Sequence, residues 1–90
     1  MRVYNMTSAS GKAVANQFNI ETKNARYFQS YGTLIAKISD GKVYLDEKNW
    51  DCSQTTGKYR NQFLGLNKKE IEEGIKAGEI LLVDLSKEEI

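Results

Sequence analysis

Apolar and polar residues alternate along the first half of the chain, and that alternation predicts β-strands. Over residues 14–22 it puts Val14, Phe18 and Ile20 on one face. A second run, residues 25–31, follows the short Lys23-Asn24 connection. A loop of two or of four residues sets Glu21 opposite Arg26, a favourable cross-strand pair, and the two-residue register also pairs Ile20 with Tyr27. Residues 33–39 and 42–47 flank Asp40-Gly41, a dipeptide suited to the two positive φ angles of a tight hairpin turn. That turn pairs Ile38 with Val43 and Ala36 with Leu45, which form one apolar face with Leu34. Lys37, opposite Tyr44, then belongs to the other face. Gly32 permits the tight link between the two hairpins.

After Trp50 the period lengthens to that of a helix. Ser53 or Thr55 is suited to cap its start, Tyr59 and Phe63 share a face, and Gly65 stands where a helix-ending glycine belongs. A second helix has Asn67 as cap with Glu70 three residues on, and Leu66 and Ile71 are placed to staple its entry. Ile71 and Ile75 then face the core, and Gly78 ends the helix. Residues 79–85, EILLVDL, read as a strand apolar on both sides, a sheet position partly covered by helices. Ser86 and Glu89 suit a last short helix, and Val3-Tyr4 an added N-terminal strand. The expected fold class is α+β. An antiparallel meander of four strands, extended by the C-terminal strand and the N-terminal one, carries two short α-helices on one face.

Ninety residues make one domain, 1–90, with a modest core. A composition of 40% hydrophobic and 28% charged residues is that of an ordinary globular chain. No apolar run is long enough to cross a bilayer, and the N-terminus lacks the hydrophobic segment of a signal peptide. The lone Cys52 has no internal partner for a disulfide, which fits a reducing, cytoplasmic setting.

The net charge of +1 says little about partners, but its distribution says more. Residues 53–69 hold Lys58, Arg60, Lys68 and Lys69 and no acid; residues 70–90 hold seven acids against two lysines. Solvated helix faces account for most such runs, while adjacent patches of opposite sign also steer charged partners.

The chain has no histidine, so the commonest general base and the commonest neutral metal ligand are both missing. Cys52 reads as a small packing residue. Asp46, Glu47 and Asp51 match no cation-loop spacing, and Lys48 intrudes among them. Gly57 falls within the first turn of a helix, whereas the other glycines read as turn or helix-end residues. No enzymatic activity, metal or cofactor is expected.

Phe18, Tyr27, Phe28, Tyr44 and Phe63 are placed by periodicity on or near the core. Tyr31, Trp50 and Tyr59 sit at element boundaries with polar neighbours, although helical spacing turns Tyr59 inward beside Phe63 and Leu64. An inward Tyr59 leaves Lys58 and Arg60 outside as expected contact residues. Aromatics beside cations suit single-stranded nucleic acid. Thr55 and Thr56, at a helix start, would add donors for phosphate.

Several segments together resemble a family of small uncharacterised proteins from tailed phages and mobile elements of Gram-positive, often gut, bacteria. The segments are VANQF from Val14, YFQSY from Tyr27, Ile35-Ala36, GKVYLDEKNWD from Gly41 and SQTTGKYRNQFLG from Ser53. The resemblance spans about residues 12–66, with Trp-Asp-x-Ser-x-Thr-Thr as its most specific part; Cys52 departs from it, standing where an aromatic is expected. It implies a context rather than an activity, that of a viral or mobile-element protein at work in the cytoplasm of a bacterial host. The leading expectation is a binding protein that blocks a host protein, in its sharpest form an inhibitor of CRISPR or restriction nucleases. Its contact surface would be Lys58, Arg60, Thr55, Thr56, Tyr31, Trp50, Lys68 and Lys69. The acidic patch Glu70, Glu72, Glu73 and Glu79 is the alternative, because a carboxylate row imitates a phosphate backbone. A nucleic-acid-binding accessory protein using the basic region is the second expectation.

Overall fold

A computed structural model of the chain describes all 90 residues. Five strands run in order as an antiparallel meander: β1 (Arg2–Thr7), β2 (Ala13–Glu21), β3 (Arg26–Ser30), β4 (Thr33–Ser39) and β5 (Lys42–Asp46). Two helices follow, α1 (Gln54–Leu64) and α2 (Lys68–Lys76), and then β6 (Ile80–Val83), which pairs parallel to β5 as the sixth strand and an edge. The helix pair is the crossover that a parallel connection requires. A 3₁₀ turn, Leu85–Lys87, ends the chain. No helix is long and apolar enough to cross a membrane.

The hairpin registers agree with the hydrophobic pattern: Glu21 faces Arg26, Ile20 faces Tyr27, Ala36 faces Leu45 and Ile38 faces Val43. Asp40 and Gly41 take φ of 53° and 73°, as their turn demands. Two irregularities break the simple alternation. Asn16 takes φ of 66° and flips the parity of β2, so Val14 packs on the core cluster while Phe18 and Ile20 lie on the opposite face. Gln17 and Asn19 are the inward residues there, opposite Ser30 and Phe28. Ile35 is the extra residue of a bulge, since Ala36 faces Phe28 and Leu34 faces Gln29. Ile35 and Ala36 are therefore both fully buried, whereas Leu34, expected on the apolar face, is only half-buried beside the C-terminal tail. The link between β3 and β4 places its positive φ, 56°, on Tyr31 rather than on Gly32.

The helices cover one sheet face and enclose Met6, Phe28, Ile35, Ala36, Leu45, Tyr59, Phe63, Ile71 and Ile80. Ser53 caps α1 by accepting from the Thr56 amide, and Gly65 ends it in the left-handed conformation. Asn67 and Glu70 form a reciprocal capping box at α2, satisfying two backbone donors that would otherwise be unpaired.

Gly74 is not a turn glycine but lies inside α2. A Cβ there would meet Ile80 Cδ1 at 2.7 Å and Cγ1 at 2.9 Å, and Ile80 is buried. Gly74→Ala gains up to ~1 kcal/mol of helix propensity but overpacks the contact between α2 and β6 by about 1–3 kcal/mol. A net loss of about 1 kcal/mol is expected in urea denaturation. A gain would mean that the helix shifts freely on the strand.

The chain's end lies across the other sheet face. Asp46, buried at the end of β5, accepts from the Leu85 and Asn49 amides (2.9 Å each), the Lys48 amide and the Asn49 side chain. Further along, Glu88 accepts from the Tyr27 hydroxyl at 3.0 Å and from the Lys37 ammonium. The Lys37 bond, followed by the Tyr27 bond, holds the Glu88 carboxyl below the usual glutamate range against the opposing effect of burial. A folded-state value below the unfolded one stabilises the fold above the ordinary glutamate range. That contribution is lost as pH falls through the lower, folded value. The melting temperature of Glu88→Gln is therefore expected to converge on that of the parent on acidification. A constant gap down to pH 2 would mean that the ion pair adds nothing.

Candidate functional site

The motif from Trp50 to Thr56 is tied into the fold. Ser53 Oγ donates to Thr56 Oγ1 at 3.0 Å, and Thr56, itself buried, shares a 2.9 Å hydrogen bond with Ser30 across to the sheet. Gln17, opposite Ser30, contributes the one buried side-chain oxygen without a partner, Oε1. Trp50 is half-buried against the core. Cys52, expected as a packing residue, is exposed in the turn before the cap. Its neighbours Asp51 and Ser53 are exposed as well, so this stretch of the turn runs along the surface with no core for the thiol to pack against.

Arg60 departs most from expectation. It is not on an outer face: only 1% of the residue is exposed. Helical side chains lean toward the N-terminus, and the long Arg60 stem follows that direction back past Gly57. Its guanidinium lies 5.2 Å from the Trp50 ring centre, donating to the Trp50 carbonyl (2.6 Å), Asp51 Oδ1 (3.2 Å) and Asn61 Oδ1 (2.9 Å). Asp51 also receives Lys68 at 2.9 Å. Lys68 first, and Arg60 after it, hold the Asp51 carboxyl below its usual range.

The expected basic surface is thereby divided. Lys58, Arg60 and Lys68 do line one shallow polar depression with Asp51 and Ser53. Within it Arg60 is buried and Lys68 is paired, leaving Lys58 as the cation without an acidic partner. Tyr31, Thr55 and Lys69 are exposed outside it, while Trp50 and Thr56 are taken up by packing and capping. The acids Asp46, Glu47 and Asp51 do not converge either, since Asp46 is turned inward and Asp51 faces the cations.

The acidic residues are gathered better. Glu70, Glu73 and Glu79 line the largest depression, about 1070 Å³, between α2, β6 and the β4–β5 turn. Glu72 lies outside it. Val43, Leu66 and Ile80 form its apolar floor, and Lys42 is the one cation at its rim. Beside it runs β6, whose Leu81 and Leu82 are 39% and 41% exposed.

A model of one protein family matches residues 1–79 of the chain. The chain belongs to this family of unknown function, DUF8033. The DUF8033 match takes in the whole meander and both helices and stops one residue short of β6. No curated protein and no solved structure matches the chain.

Two features of this DUF8033 domain have little trace in its sequence. The exposed edge at Leu81 and Leu82 is hidden by a two-sided apolar run that reads as a covered strand. Its exposure follows from the short length of β6 and its place beyond β5. The internal role of Arg60 has a faint signal: Trp50 and Asp51 lie upstream within its reach, with a side-chain-free Gly57 between.

Proposed function

We propose that the chain is a non-enzymatic binding protein of phage or mobile-element origin that acts in a bacterial cytoplasm by blocking a host protein. Its sharpest form is inhibition of a defence nuclease of the CRISPR or restriction type. The observation that carries this reading is the groove lined by Glu70, Glu73 and Glu79. Carboxylates held along one helix and in the bend that follows it, just before β6, present negative charge to a surface built for phosphates. The burial of Arg60 and the pairing of Lys68 with Asp51 move the preference from the basic surface to this acidic one.

The test is capture of partners from host lysate by tagged protein, with and without nuclease treatment. A protein partner that survives nuclease and is lost with Glu73→Lys/Glu79→Lys supports the reading. Recovery that depends on nucleic acid, falls steeply with salt and is lost with Lys58→Glu/Lys69→Glu replaces it with the second expectation, a nucleic-acid-binding accessory protein. Cleavage of DNA or RNA by the purified protein would refute it outright.

A further inference from the structure

We infer that the β6 edge is a strand-addition site for an extended, basic-flanked segment of a partner protein. This rests on the reading of the chain as a binding protein and specifies the chemistry of what it binds.

An edge strand presents a row of backbone donors and acceptors to solvent, and natural proteins usually blunt such edges with lysine, proline or a covering element. β6 is blunted by its short length alone: its four residues, Ile80, Leu81, Leu82 and Val83, include no charge and no proline. Leu81 and Leu82 point to opposite sheet faces and are both well exposed, so an added strand would find an apolar contact on either side. The opposite edge, β1, carries Arg2 and is disturbed by a register shift between Asn5 and Thr7.

Charge selects the occupant. A second copy pairing antiparallel through β6, centred between Leu81 and Leu82, would set Glu79 of each chain against Asp84 of the other. Like charges directly opposite are destabilising, so self-association is opposed at both ends of the pair. A partner strand with Lys or Arg at the end that passes Glu79 meets the reverse situation. Its cationic side chain can lie over the groove toward Glu73 and Glu70, with its aliphatic stem on the Val43–Ile80 floor. Main-chain bonds would supply affinity and the acidic groove selectivity, as in other cases of strand addition.

The experiment selects ten-residue peptides from a random display library against the full chain. Synthetic winners are then titrated by fluorescence anisotropy, with amide hydrogen exchange read by NMR. Enriched peptides should have β-branched centres flanked by Lys or Arg. Replacing the flanking cations by Glu should weaken binding at least tenfold. Bound peptide should slow exchange of amides in residues 80–83. Glu73→Lys/Glu79→Lys should reverse the charge preference, and Leu82→Lys should weaken every peptide. No enrichment, enrichment of acidic or helical peptides, unchanged exchange in β6, or a β6-mediated dimer in sedimentation would overturn the inference. A nuclease-resistant partner from lysate whose capture ignores Leu82→Lys would overturn it as well, while leaving the binding-protein reading intact. If the lysate yields no protein partner, it is that reading which fails.

Discussion

Phe28→Ala should remove about 3–5 kcal/mol of stability, and Phe63→Ala a similar amount. Both rings lie in the core, Phe28 fully buried from β3 and Phe63 from α1, with centroids 6.0 Å apart and planes inclined by 29°. Each truncation forfeits the transfer energy of a large side chain and leaves a cavity that a close-packed interior refills only in part. A domain of this size holds about 5–15 kcal/mol in total, so either variant stands near the unfolding threshold. The two losses should not add. Once one ring is gone the other has lost its aromatic neighbour, so the double variant should cost about 0.5–1.5 kcal/mol less than the sum. Chemical denaturation of the four proteins of the cycle measures this. Strict additivity would mean that the rings are held by their surroundings and not by each other.

Arg60→Ala is expected to cost about 3 kcal/mol, a large effect for a residue that the sequence places on a solvated face. Charge-assisted hydrogen bonds contribute about 1.5–3 kcal/mol each, and the Trp50 contact adds about 0.5–2 kcal/mol. Burying the guanidinium costs a good part of that total. Arg60→Lys should recover little, because a point ammonium cannot bridge the Trp50 carbonyl, Asp51 and Asn61 together. Arg60→Met, which retains the stem volume, should fall between Ala and the parent. Lys58→Ala, two residues away and exposed, should change stability by less than ~0.5 kcal/mol. Equal, small effects at positions 58 and 60 would show that the guanidinium is not tied to the loop before α1.

The sequence conveyed the hairpins, both helix caps and the layer arrangement because each rests on local rules. Asp40-Gly41 dictates its own register, and Asn67 with Glu70 needs only one helical turn to meet. It conveyed the bulges poorly. An extra residue at Asn16 or Ile35 exchanges the faces of everything beyond it, yet changes no composition. The candidate surfaces were legible only as two charge runs. Whether a cation is free depends on which acid reaches it, and Asp51 neutralises Arg60 and Lys68 from outside the basic run. In the acidic run, by contrast, Glu70, Glu73 and Glu79 have no cationic partner within salt-bridge distance.

The strand order has a kinetic consequence. From β1 to β5, neighbours in the sheet are neighbours in the chain, so each hairpin can close over a short loop and dock on the one already made. Such local closure is fast. The pairing of Val43 with Ile80 is different, since both helices must be in place before the last strand has anything to join. The loop-closure penalty for that step grows only slowly with length, but it is incurred in a single event and repaid only when Ile80 seats against Gly74. Folding should therefore proceed through a meander that forms early and a C-terminal strand that arrives last. In the folded chain that same strand should be the first to open.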